Sequence, residues 1–94
     1  MKNNLNRELL ADVAEKLIFH LQARNDVQNI DLMNLSGFCR NCISKWYASS
    51  AKAKHIDIEY EHAREIIYGM PYQEWKDKYQ KEATKEQLEK RKNL

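Results

Sequence analysis

Residues that break secondary structure are scarce in this chain, which has only two glycines and one proline among 94 residues. Because glycine and proline most often end helices and form turns, their scarcity favours helices joined by short connections. We therefore predict an all-α fold, a compact bundle of four to five helices. A chain of this length supports a single domain over residues 1–94.

The first predicted helix, over residues 5–24, has an apolar stripe that we expect to face the core. Apolar residues recur along it at spacings of three and four, as on one face of a helix with 3.6 residues per turn. Phe19 falls outside this stripe, on the acidic face, so we expect either the tail of the same chain or a second copy to cover it. The stripe consists of Leu9, Leu10, Val13, Ala14, Leu17 and Leu21.

Capping signals place the middle of the chain in helices as well. Asn29 or Asp31 can cap a short helix. The Ser36-Gly37 pair either lies inside a continuing helix or caps a new helix that runs to about residue 54. Asp57 can cap a helix over 58–68.

The last third of the chain predicts two further helices. Gly69 ends the preceding helix, and Pro71 suits the first turn of a helix over about 72–81. Thr84 and Gln87 form a capping box that begins a final helix. Since Leu88 is its apolar anchor, we expect residues 85–94 to form a frayed tail.

Charge and hydropathy argue against two classes of partner. The chain has 16 basic and 14 acidic residues, and the surplus of two lies in residues 71–94. A nucleic-acid interface needs clustered basic charge, so nucleic-acid binding is not predicted. No apolar run approaches the roughly 20 residues that a membrane span needs, and no secretion signal begins the chain, so we predict a soluble cytoplasmic protein.

The two cysteines, Cys39 and Cys42, are the only ones in the chain and define its candidate site. A helical wheel begun at Phe38 places both sulfurs beneath Trp46 and turns Arg40 and Ser44 away. The plainest interpretation is that both cysteines pack in the core, because free cysteine is among the most buried residue types.

Two chemical alternatives remain open for this pair. Thiols at positions i and i+3 can bind one zinc ion, with His55 and His62 as candidate further ligands, although the spacing of the two histidines is wider than in zinc fingers. A redox site needs a lowered thiol pKa, which Cys39 would gain if Ser36 capped the helix. Within a helix, however, a disulfide at this spacing would be strained.

A possible Glu-x-x-His motif is weaker evidence for a metal site. Glu59 and His62 form a Glu-x-x-His pair like those of di-metal helical bundles, but such sites need further Glu ligands. The sequence has no phosphate-binding glycine loop and no nucleophile elbow. We therefore assign no catalytic residue and favour a protein that is not an enzyme.

Oligomerisation is suggested by the aromatic content. Nine aromatic side chains are many for a domain of this size, since each can bury roughly 150 to 250 Å². A second copy is therefore one candidate to cover part of this surface, with Phe19 and Trp75 as candidate interface residues.

The segments FCRNCISKWY at 38–47, AREIIYGMPYQEWK at 63–76 and DVQNIDLMNL at 26–35 resemble the bacterial domain of unknown function family DUF1244. The likeness extends over nearly the whole chain. It implies a small all-helical protein that forms homodimers, and it implies no activity. The expected function is therefore a non-enzymatic homodimeric interaction protein, with a zinc or thiol redox site at Cys39 and Cys42 as the alternative.

Overall fold

A computed structural model describes residues 6–93, which form six α-helices and no strand. The all-α prediction is confirmed, whereas the described residues contain more helices than the four to five predicted. The predicted helix start at Leu5 lies outside the described residues. The helices are α1 (Arg7–Gln22), α2 (Asn29–Ser36), α3 (Arg40–Ala53), α4 (Tyr60–Tyr68), α5 (Tyr72–Tyr79) and α6 (Lys85–Lys92).

The chain between α2 and α3 follows neither of the two alternatives predicted for the Ser36-Gly37 pair. Ser36 is the last residue of α2, and its hydroxyl donates to the carbonyl of Leu32 at 2.7 Å. Gly37 follows in the left-handed conformation, with φ of 81°. The next helix begins only after Cys39, which is its extended N-cap residue. Ser36 therefore neither caps α3 nor continues a helix into it, because Gly37 redirects the chain.

The other helix ends are determined by local sequence to different degrees. Asp57 does not cap α4, which begins at Tyr60 with Glu59 as its N-cap residue. Gly69 ends α4 as predicted, with φ of 78°. The predicted capping box of α6 is also present: the Thr84 amide donates to the Gln87 side chain at 2.7 Å, and the Gln87 amide donates to the Thr84 hydroxyl at 3.1 Å.

The centre of the molecule is α4, which packs against α1, α3 and α5. Its residues Ala63, Ile67 and Tyr68 are buried. Trp75 of α5 is 0% exposed, lies 5.2 Å from the Tyr68 ring between centroids, and donates from its indole nitrogen to the Asn25 side chain at 2.9 Å.

The tail helix α6 packs against α2. The Asn34 side chain donates to the carbonyl of Gln87 at 3.0 Å, and the Gln87 side chain donates to the Asp31 carboxylate at 2.8 Å. These two contacts position α6 through polar groups. Within residues 6–93, no helix combines the length and the apolar character that crossing a membrane requires.

The apolar stripe of α1, which we expected to face the core, is largely exposed. Leu21 is its only buried residue, and the Gln22 side chain anchors its end by donating to the carbonyls of Ile66 and Ile67 at 3.2 and 3.1 Å. With 16 residues against nine, α1 is roughly 24 Å long and α4 roughly 14 Å, so the first turns of α1 extend beyond their neighbour. The exposed fractions are 64% for Leu9, 50% for Leu10, 64% for Val13 and 48% for Leu17.

Candidate functional site

The two cysteines meet where α2 joins α3. Cys39 is the extended N-cap residue of α3, and Cys42 lies in its first turn. Their sulfur atoms are 3.9 Å apart, and neither is in a disulfide. Cys39 is 7% exposed and Cys42 is half-buried, with its sulfur 4.0 Å from that of Met33. The sequence motif therefore becomes a pair of adjacent free thiols with unequal access to solvent.

Burial dominates the ionisation of Cys39. It raises the pKa of the Cys39 thiol, while the backbone amides of Cys42 and Asn41 lower that pKa by less. The condition under which we expected a lowered pKa, capping by Ser36, is not met. Cys39 is accordingly a neutral thiol at neutral pH.

The buried face of α3 is opposite to the predicted one. Arg40 is 1% exposed and Ser44 0%, whereas Trp46 is 59% exposed. The helical wheel gives the relative positions of Arg40, Ser44 and Trp46 correctly, since all three lie in α3, but it assigned the wrong side to the core. Phe38 and Cys39 precede the helix and do not share its periodicity. Trp46 instead lies near Phe38, with 5.8 Å between their ring centroids.

Arg40 is the functional-site residue that sequence reasoning missed. Its guanidinium donates to the carbonyl of Val27 at 2.8 Å, to the Asn29 side chain at 3.1 Å and to the carbonyl of Arg24 at 2.9 Å. The same group lies 4.9 Å from the centroid of the Trp75 ring. Burial lowers its pKa, and these oxygens and the indole face compensate for the lost hydration. No periodicity or motif indicates such a partner set in advance.

A second layer of polar contacts connects this arginine to α4. Asn29 donates to the Tyr68 hydroxyl at 3.0 Å, and that hydroxyl donates to the Asn41 side chain at 2.7 Å. Arg64 donates to the same Asn41 oxygen at 3.3 Å. Burial raises the pKa of Tyr68, so its hydroxyl remains a donor at neutral pH. A cavity of about 300 Å³ lies beside Asn29 and Asn41.

The predicted histidine ligands lie outside this junction. His55 is an exposed residue just after α3, with φ of 59°, and His62 is exposed on α4, as is Glu59 at its N-cap. Across residues 6–93, the structure brings no three His, Cys, Asp or Glu side chains together in a way that could hold a metal ion. A zinc ion bound by the two sulfurs would therefore need further ligands from a second copy or from another molecule.

The fold and this site define a small all-α domain whose helices meet at a buried arginine next to a free dithiol. The chain belongs to the family described as protein of unknown function (DUF1244), whose model matches residues 27–93. This match confirms the resemblance inferred from the sequence segments, and it includes α2 to α6 but not α1. A comparison with curated proteins found no match.

Proposed function

We propose that the protein is a non-enzymatic interaction module that forms a homodimer through the exposed apolar residues of α1. The proposal is carried by one observation. The C-terminal end of α1 packs against the rest of the chain at Leu21, whereas the preceding turns of the same face present a row of large apolar residues to solvent. We call this row the α1 stripe; it consists of Leu9, Leu10, Val13 and Leu17.

A second copy fits the α1 stripe because the stripe is self-complementary. Leu9, Val13 and Leu17 follow one another at intervals of four residues and form a single ridge along the helix. Across a twofold axis each copy offers the same ridge to the other, so one apolar surface covers both.

The energetics indicate a dimer that depends on every stripe residue. Burying the exposed half of a large apolar side chain contributes about 1 kcal/mol, so the eight side chains of two stripes contribute about 8 to 10 kcal/mol. Association costs about 4 to 15 kcal/mol. The upper end of this gain exceeds the lower end of this cost by about 6 kcal/mol, which corresponds to a dissociation constant of about 40 µM, so losing one stripe residue from each copy should shift the equilibrium strongly toward monomer.

The two interface residues expected from the sequence differ in their exposure to solvent. Trp75 is fully buried in its own chain and is not available to a second copy, so it is not part of this proposal. Phe19 is 59% exposed, but it lies about 200° around the helix from Leu17. Phe19 is thus a separate candidate contact rather than a member of the α1 stripe.

Sedimentation velocity of matched variants tests the proposal. Val13→Asp places a carboxylate in the stripe, whereas Ala11→Asp places one about 160° away on the same exposed helix. At about 500 µM we expect mainly dimers for the wild type and for Ala11→Asp, and mainly monomers for Val13→Asp with an unchanged helical spectrum. A monomeric wild type, or a Val13→Asp variant that still dimerises, would refute the proposal. Phe19→Ser, measured in parallel, reports whether Phe19 contributes a second contact.

A further inference from the structure

We propose that Cys39 and Cys42 exchange reversibly between a dithiol and an intramolecular disulfide, which makes the α2–α3 junction a thiol–disulfide exchange site. The two sulfurs lie 3.9 Å apart. A disulfide bond is about 2.03 to 2.05 Å long, so the sulfurs must approach each other by about 1.9 Å. This inference is independent of the homodimer, because it needs no residue of α1.

The position of Cys39 removes the geometric objection raised by the sequence. Two cysteines at i and i+3 inside a helix have Cβ atoms about 5 to 6 Å apart, and a disulfide needs about 3.5 to 4.5 Å. Cys39, however, is the N-cap residue, with φ of −144° and ψ of −176°. Because its backbone is extended, it can move toward Cys42 without breaking a helical turn.

Unequal access sets the order of the exchange. Cys42 is half-buried and meets a small external disulfide first, whereas Cys39 is 7% exposed and its burial favours the neutral thiol. The Cys42 thiolate attacks one sulfur of the external disulfide, forms a mixed disulfide and releases one thiolate. Cys39 then loses its proton and attacks the Cys42 sulfur, which releases the second thiolate. In total, the protein dithiol is oxidised and one external disulfide is reduced to two thiols.

The bond would close around residues that organise the junction. Arg40 and Asn41 lie between the two cysteines, and their side chains contact the loop before α2 and Tyr68 of α4. Oxidation therefore acts on the segment that holds three helices together. This placement distinguishes the pair from two cysteines in an isolated surface turn.

Mass spectrometry with oxidised glutathione tests the exchange. The reduced full-length protein is incubated anaerobically with oxidised glutathione and a chelator, and samples are acid-quenched over time. We expect the wild type to lose about 2 Da with no lasting adduct, and to recover its mass with a dithiol reductant. Cys39→Ser should retain one glutathione on Cys42. Cys42→Ser should react at least tenfold more slowly, because Cys39 is buried.

The measured masses distinguish the possible products, because these are the only cysteines in the chain. A lasting glutathione adduct on the wild type, a disulfide between two chains, or no reaction would overturn the proposal. Stoichiometric zinc binding to the reduced protein in native mass spectrometry, with protection from oxidation, would overturn it in favour of a metal site. The wild-type measurement is decisive even if a variant fails to fold, and circular dichroism identifies that case.

Discussion

Replacing Arg40 with Met tests the central claim about the junction, that a buried guanidinium holds the loop before α2 in place. The substitution removes donors to three oxygens at 2.8 to 3.1 Å and a cation from the face of Trp75. Hydrogen bonds to charged groups contribute about 1.5 to 3 kcal/mol each. The three oxygens lose their donor, which costs about 1 to 3 kcal/mol for each that stays buried, and relief of the desolvated charge offsets part of this loss, so we expect a net cost of about 3 to 5 kcal/mol.

A loss of this size is large for so small a domain. Domains are stable by about 5 to 15 kcal/mol, so the variant would lose a substantial part of its free energy of unfolding. At about 4 to 8 °C per kcal/mol, the melting temperature should fall by about 12 to 40 °C. Arg40→Lys should fall between the two proteins, because an ammonium group keeps the charge but lacks the planar fork that reaches several oxygens at once.

Urea and thermal unfolding followed by circular dichroism measure these effects. The matched control is Arg24→Met, because that side chain is 51% exposed and pairs with the exposed Asp26 at 2.9 Å. An exposed ion pair contributes little to stability, so the control should remain close to the wild type. If Arg40→Met is as stable as Arg24→Met, the guanidinium does not organise the junction and the reasoning is refuted.

Two further predictions concern Gly69 and the pH dependence. Gly69→Ala should cost about 2 to 3 kcal/mol, because φ is 78° and the added Cβ, 2.9 Å from the Gln22 side chain, would displace the amide group that donates to the carbonyls of Ile66 and Ile67. Gly37→Ala, with φ of 81° and no atom within 4 Å, should cost only about 1 kcal/mol. Equal losses in urea unfolding would contradict the close approach. Under reducing conditions the free energy of unfolding should decrease above about pH 8.5, since the unfolded chain then loses the Cys39 proton before the folded chain, whose thiol pKa is raised by burial. Urea midpoints from pH 7 to 10 should depend less on pH in Cys39→Ser, and an unchanged dependence would contradict this account.

Helix formation and some helix ends were predictable because they depend on residues that are neighbours in the sequence. The scarcity of glycine and proline indicated helices, and the Thr84 capping box and the Gly69 helix end were found where the sequence predicted them. A capping box needs only neighbouring residues, and a glycine with positive φ meets a backbone requirement at its own position. The family resemblance also followed from contiguous segments and was confirmed over residues 27–93.

The orientation of the helices was not predictable from the same patterns. The first helix has a regular apolar stripe, yet it buries only Leu21, because it extends beyond the helix against which it packs. In α3 the sequence favoured burial of Trp46 over Arg40, and the structure has the reverse. Hydrophobic periodicity describes which side of a helix avoids water, but it contains no information on whether another element is long enough to cover that side.

The candidate site shows the same division between sequence and structure. The sequence alone determined that the chain has one pair of cysteines three positions apart, and that their neighbours favour helix. The 3.9 Å between the sulfurs, the unequal burial of the two thiols and the partners of Arg40 come from the meeting of α2, α3 and the loop at Val27. Burial and hydrogen bonding depend on residues distant along the chain, so the chemistry of the pair is a property of the folded molecule.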